Sequence, residues 1–121
     1  MKFISTKAHG VLDYTMGLLL ILLPFLMHFE ISNPESTVLF VLGGVMVLMA
    51  LLTRYELGLL RVMPMPIHLT GDIIAGGLLV FSPWLFNFYE RVYLPHLTLG
   101  VLEIVAALIM QTIAGPTQRS V

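Results

Sequence analysis

Seven residues return at one fixed interval in this chain. His9, Asp13, Gly17, Pro24, Phe25, Leu26 and Phe29 are followed 59 positions later by His68, Asp72, Gly76, Pro83, Trp84, Leu85 and Phe88. Each set lies in an apolar stretch long enough for a membrane helix, and an internal repeat of this length sets architecture before any single motif does. The same unit therefore has to be built twice. It carries ionisable residues into hydrocarbon, where they are costly and mark either function or a specific structural tie.

Composition fixes the class. Of 121 residues, 58% are hydrophobic and only 11% charged, against roughly 25% charged in an ordinary soluble domain. The chain reads as an all-α integral membrane protein, one membrane domain over residues 1–121. Its net charge is −1 with no basic or acidic block, so nothing points to nucleic acid or to a polybasic lipid-binding tail. The absence of cysteine removes disulfides, thiolate nucleophiles, iron–sulfur clusters and thiolate zinc sites. Any metal would have to use histidine and carboxylate ligands. Lys2, Lys7 and the apolar run from Tyr14 have the outline of a signal peptide, but no small-x-small site follows between Pro24 and Glu30. The match to the internal copy predicts that this segment stays.

Crossing roughly 30 Å of hydrocarbon takes about 20 mostly apolar residues. Four spans qualify: Ala8 to Phe29, Glu35 to Thr53, Pro66 to Phe88 and Leu94 to Ala114. Repeat one then covers residues 8–53, repeat two residues 66–114, and residues 54–65 connect them. Asn33-Pro34-Glu35 has the form of an N-cap, a proline at the first helical position and an acid in the first turn, while Gly115-Pro116 predicts a stop for span four. The connection mixes Tyr55, Leu57, Leu59, Leu60, Val62 and Met63 with Arg54 and Arg61 before Pro64-Met65-Pro66, which predicts a short interfacial segment.

Basic residues set the expected orientation. Lys2, Lys7, Arg54, Arg61 and Arg119 fall on one side, and Arg91 stands alone on the other with Glu30, Glu35 and Glu90. Loops rich in Lys and Arg stay in the cytoplasm, which predicts an inner-membrane protein with both termini cytoplasmic and with Trp84, Tyr89 and Tyr93 at the outer interface. Two spans per repeat make both halves enter in the same direction, related by a pseudo-two-fold axis along the membrane normal, unlike inverted-repeat transporters. In the second helix of each repeat, Gly44-Val45 is expected to match Gly100-Val101 at a spacing of 56.

Ser82-Pro83-Trp84 followed by Leu85-Phe86-Asn87-Phe88, with His68-x-x-x-Asp72 upstream, resembles the SPW-repeat family of small bacterial and archaeal membrane proteins. The first copy, His9-Gly10-Val11-Leu12-Asp13-Tyr14 and then Leu23-Pro24-Phe25-Leu26, is similar but has Leu23 for the serine and Phe25 for the tryptophan. The resemblance implies a two-repeat, four-helix protein in which the triplet and the His/Asp pair belong to one unit. It implies no particular activity.

Helix positions four apart share a face, so His9, Asp13 and Gly17 form one stripe and His68, Asp72 and Gly76 another. Related by the pseudo-two-fold, the stripes face each other and bring two imidazoles and two carboxylates to one depth in the cytoplasmic half. Span four offers the stripe Gly100, Glu103, Ala107 and Gln111, with Gln111 expected near the His/Asp layer and Glu103 near the bilayer middle. Two readings follow. The histidines either donate to their own or the opposite aspartate and clamp spans one and three together, or the four groups hold a divalent ion such as zinc, with Glu103 extending the set. A bis-histidine haem on His9 and His68 is disfavoured because ligands so near the membrane edge leave the porphyrin half outside. No other cofactor is expected.

The remaining polar groups have structural readings. His28 and His96 are expected at the outer interface. In the triplet, Pro83 frees a carbonyl, Ser82 can bond it, and Trp84 anchors the helix end, with Pro24 and Phe25 as the counterparts in the first copy. Gly43-Gly44, Gly76-Gly77 and Ala106-Ala107 are small pairs that allow close helix approach. Four spans enclose little space for a solvated path, so a conducting form would be a homo-oligomer in the bilayer. The leading function is a non-enzymatic structural or interaction role. The alternative is ion, metal or proton handling through His9, Asp13, His68, Asp72 and Glu103, and metal-assisted enzyme chemistry stands third because no nucleophile–base pair or phosphate loop is present.

Overall fold

The computed structural model describes residues 6–53 and 57–119, with side chains described for residues 7–53 and 57–110. The described residues form four α-helices and no strand: α1 Thr6–Leu26, α2 Pro34–Leu52, α3 Met65–Leu85 and α4 Leu94–Arg119. α1, α2 and α3 are each long and apolar enough to cross a membrane, and α4 is apolar from Leu94 to Met110. The protein is an all-α membrane protein. α3 begins and ends 59 positions after α1, the interval of the sequence repeat.

α1 and α3 stop three residues short of the expected Phe29 and Phe88, and the same device stops both. His28 and Asn87 adopt left-handed backbone, at φ 58° and 62°, a conformation in which His and Asn are enriched. The next residue then turns its amide back: Phe29 N–H donates to the Pro24 carbonyl and Phe88 N–H to the Pro83 carbonyl, both at 2.8 Å. This is a Schellman cap, with the proline at its third-last helical position and the phenylalanine just beyond. The recurring Pro and Phe are the two ends of one capping bond. Pro83 also leaves the Leu79 carbonyl without its helical donor, and the Ser82 hydroxyl donates to it at 2.7 Å.

α2 begins as its sequence predicts, with Asn33 as N-cap, Pro34 in the first turn and Glu35 beside it. α4 departs from expectation by running through Gly115 and Pro116 to Arg119. Proline withholds one amide without ending a membrane helix whose other bonds are intact, as Pro24 and Pro83 also demonstrate inside α1 and α3. The connection is a non-helical strap over the described residues 57–64; Arg54 and Tyr55 lie outside the described residues. Its amides cap α2: Leu59 and Leu60 donate to the Leu51 carbonyl at 2.7 and 2.9 Å, and Val62 and Met63 donate to Leu52 at 2.8 and 2.7 Å. Tyr14 pins it to α1 by donating to the Leu57 carbonyl at 2.8 Å.

α1 packs on α2 and α3 on α4, with α2 also against α3. Glycine sets both closest approaches. A Cβ on Gly17 would lie 2.6 Å from Val47 and 3.0 Å from the Gly43 carbonyl, and one on Gly76 would lie 2.7 Å from Ile104 and 2.9 Å from the Gly100 carbonyl. Gly43 and Gly100, like Val47 and Ile104, thus play equivalent parts 57 positions apart rather than 56. Gly44 and Gly77 face open space, because neighbouring helix positions diverge by about 100° and only one of each pair can face the partner helix. Leu20, Leu39, Leu42, Met46, Ala75 and Leu79 make an apolar belt, and Met65, Leu69, Ala107 and Met110 make a second cluster.

Candidate functional site

One turn from each packing glycine sits an aspartate, Asp13 before Gly17 and Asp72 before Gly76, and one turn earlier still a histidine. His9, Asp13, His68 and Asp72 are all buried, and a ligand atom from each lies within 4.8 Å of the others. The atoms alternate around a ring. His68 Nε2 is 2.6 Å from Asp13 Oδ2 and 3.1 Å from Asp72 Oδ2. His9 Nε2 is 3.2 Å from Asp72 Oδ2 and 3.3 Å from Asp13 Oδ2. Each histidine therefore reaches its own repeat's aspartate and the other's, and the imidazoles meet edge to face with centroids 5.9 Å apart.

The far side of His68 fixes what the near side offers. Thr53 donates its hydroxyl hydrogen to the Met49 carbonyl at 2.5 Å, so Oγ1 accepts from His68 Nδ1–H at 2.7 Å. With Nδ1 carrying that hydrogen, Nε2 either bears a second proton or presents a lone pair to two carboxylates. Four acceptors facing one another inside a bilayer are untenable without hydrogens or a cation between them. Protons on Nε2 or on a carboxyl supply these, and so does a divalent cation. Donor atoms around tetrahedral zinc, with bonds of about 2.0–2.1 Å, stand about 3.3 Å apart; three neighbouring pairs of the ring, at 3.1, 3.2 and 3.3 Å, come near this, the His68–Asp13 pair is a hydrogen bond, and the ligand atoms as a set spread over up to 4.8 Å. A hydroxyl-backed Nδ1–H is also the outer support that metal-bound histidines use.

Glu103 joins this layer rather than standing alone at mid-membrane. It is 3% exposed, its charged neighbours are Asp72, Asp13 and His68, and its Oε1 has no hydrogen-bond partner. The Gly76–Gly100 contact explains the depth: Asp72 lies four residues from the first glycine and Glu103 three from the second, in antiparallel helices on the same side of that contact. Gly100 and Ala107 on the same stripe are also buried, and the Gln111 side chain lies outside the described residues. Thr53 was not legible as a site residue. Its counterpart 57 positions on is Met110, fully buried, and the Nδ1 of His9 has no hydrogen-bond partner.

A second polar layer closes the opposite end. Arg91 donates through Nε and Nη2 to the two carboxylate oxygens of Glu35, both at 2.9 Å. The hydrogen-bonded Glu35 carboxylate holds the Arg91 pKa above its ordinary value. His96, expected at the interface, is instead fully buried: Nε2–H donates to the Glu35 carbonyl at 3.1 Å, and the ring packs against Phe88 with centroids 4.8 Å apart. His28 is exposed. Trp84 is half-exposed and stands beside Tyr89 and Tyr93, with ring centroids 6.5 and 6.1 Å away.

A small helical membrane protein with a buried, crossed His/Asp centre is the class that this geometry defines. The family model for the SPW repeat domain matches residues 7–110, and the chain belongs to that family. No curated protein and no solved structure matches it.

Proposed function

We propose that this is a small non-enzymatic membrane protein, acting structurally or by interaction, in which the His/Asp layer ties two halves of a single domain together. The supporting observation is the crossing of the pairs: the shortest bond of the ring, His68 to Asp13 at 2.6 Å, joins different repeats, as does His9 to Asp72 at 3.2 Å. In this reading the protein sits in the inner membrane with both termini cytoplasmic, and Arg91, the lone basic residue of the outer side, is neutralised by Glu35. Its partners are lipid and further copies of itself. Replacing His9 and His68 together with asparagine keeps hydrogen-bonding capacity and leaves a folded bundle, destabilised by about 1 to 2 kcal/mol in total. Thermal unfolding of the purified variant checks this, and complete loss of the fold would overturn a purely hydrogen-bonded tie.

The second reading is ion handling by the same layer, favoured by the four ligand atoms lying within 4.8 Å of one another. A chelator then lowers the thermal stability of the wild type but not of the double asparagine variant. Metal-free wild-type protein indifferent to chelator would remove this reading.

A further inference from the structure

The ring is symmetric in its four ligands and lopsided in what surrounds them. On the α2 side, Thr53 accepts from His68 and seals that ring with a neutral hydroxyl. On the α4 side stands Glu103, whose counterpart 57 positions earlier is the buried Met46. The substitution puts a third carboxyl beside Asp13 and Asp72, within side-chain hydrogen-bond reach of Asp72, a contact between two carboxyls that needs a proton or a cation to hold it. Its Oε1 is buried without a hydrogen-bond partner, although such an atom in an apolar interior normally finds one. A cation in the ring would stand in for the proton between Glu103 and Asp72 and offer the free Oε1 a bond.

We propose that His9, His68, Asp13 and Asp72 bind a divalent first-row transition-metal ion and that Glu103 is its fifth donor, entering from α4. This rests on the ion-handling reading above and adds the ligand class and the fifth residue. Two imidazoles with three carboxylates form a mixed set suited to borderline ions such as zinc, cobalt, manganese or iron(II), and poorly suited to copper(I), which selects sulfur, or to calcium, which takes oxygen alone. The tie between the repeats then runs through the ion.

The test is titration of chelator-stripped, detergent-purified protein with Co²⁺, followed by its visible absorption and by competition with Zn²⁺. The wild type is expected to take up a single Co²⁺, and Glu103→Gln to bind it at least about tenfold more weakly with a changed spectrum, while helical circular dichroism stays the same. Equal affinity and an identical spectrum for wild type and Glu103→Gln would overturn the fifth-ligand assignment and leave the four-residue site standing. A wild type that binds no Co²⁺ would overturn the ion-handling reading itself. If Glu103→Gln does not fold, Glu103→Asp keeps the charge but withdraws the carboxylate by one methylene, and an unaltered cobalt spectrum there counts against Glu103 as a ligand.

Discussion

Thr53 decides which nitrogen of His68 faces the carboxylates, because its own hydrogen is committed to Met49. Thr53→Val keeps the shape and removes the acceptor, leaving a buried Nδ1–H unsatisfied at a cost of about 1–3 kcal/mol. Thr53→Ser is expected to retain most of the stability. Thermal unfolding of both variants measures the difference, and ¹⁵N chemical shifts of the His68 ring report whether the tautomer has changed; equal stability for the two variants would remove Thr53 from the site. The four ring residues were legible in the sequence because they recur at one interval and share a helix face. Glu103 was legible as an acid that could extend the set, although it was expected nearer mid-membrane; Thr53 was not, because it breaks the repeat and the matching position, Met110, is apolar. Depth was the other obstacle, since nothing in a single helix reveals which of its turns a neighbouring helix touches.

Between helices, the close contacts rest on one glycine of each adjacent pair. A methyl on Gly76 meets Ile104 and the Gly100 backbone carbonyl, and backbone cannot move aside cheaply. Gly76→Ala is expected to destabilise the bundle by about 1–3 kcal/mol, whereas Gly77→Ala, facing open space, changes stability by less than about 1 kcal/mol. Parallel thermal melts in one detergent separate them, and similar losses at both positions would mean that the α3–α4 spacing is not set there. The number and rough extent of the helices were readable from apolar length and from Asn33-Pro34-Glu35. The C-terminal ends of α1 and α3 were not, because their caps use His28 and Asn87 in left-handed backbone where glycine is the usual signal. The run of α4 through Gly115-Pro116 escaped notice for the converse reason: a strong stop signal acts on one hydrogen bond, while the helix on either side is held by many.

At the scale of the whole molecule, two polar layers stand apart, His/Asp/Glu at one end and Glu35, Arg91 and His96 at the other, with Leu20, Leu39, Leu42 and Leu79 between them. The orientation proposed above predicts that cysteines in Ser5→Cys and Ser120→Cys are labelled only from the cytoplasm and one in Ser32→Cys only from outside. Labelling of position 5 from outside with an impermeant thiol reagent would invert the topology.

The centre's lopsidedness bears on how such a chain can be assembled. His9, Asp13 and Thr53 come from the first half, and His68, Asp72 and Glu103 from the second. Two identical helical hairpins meeting about a dyad would carry the extra carboxyl twice or not at all, and the hydroxyl likewise. Carrying both halves in one polypeptide lets each side of a self-complementary ring drift separately, and the result is a centre with a front and a back, which any directional process inside a membrane requires.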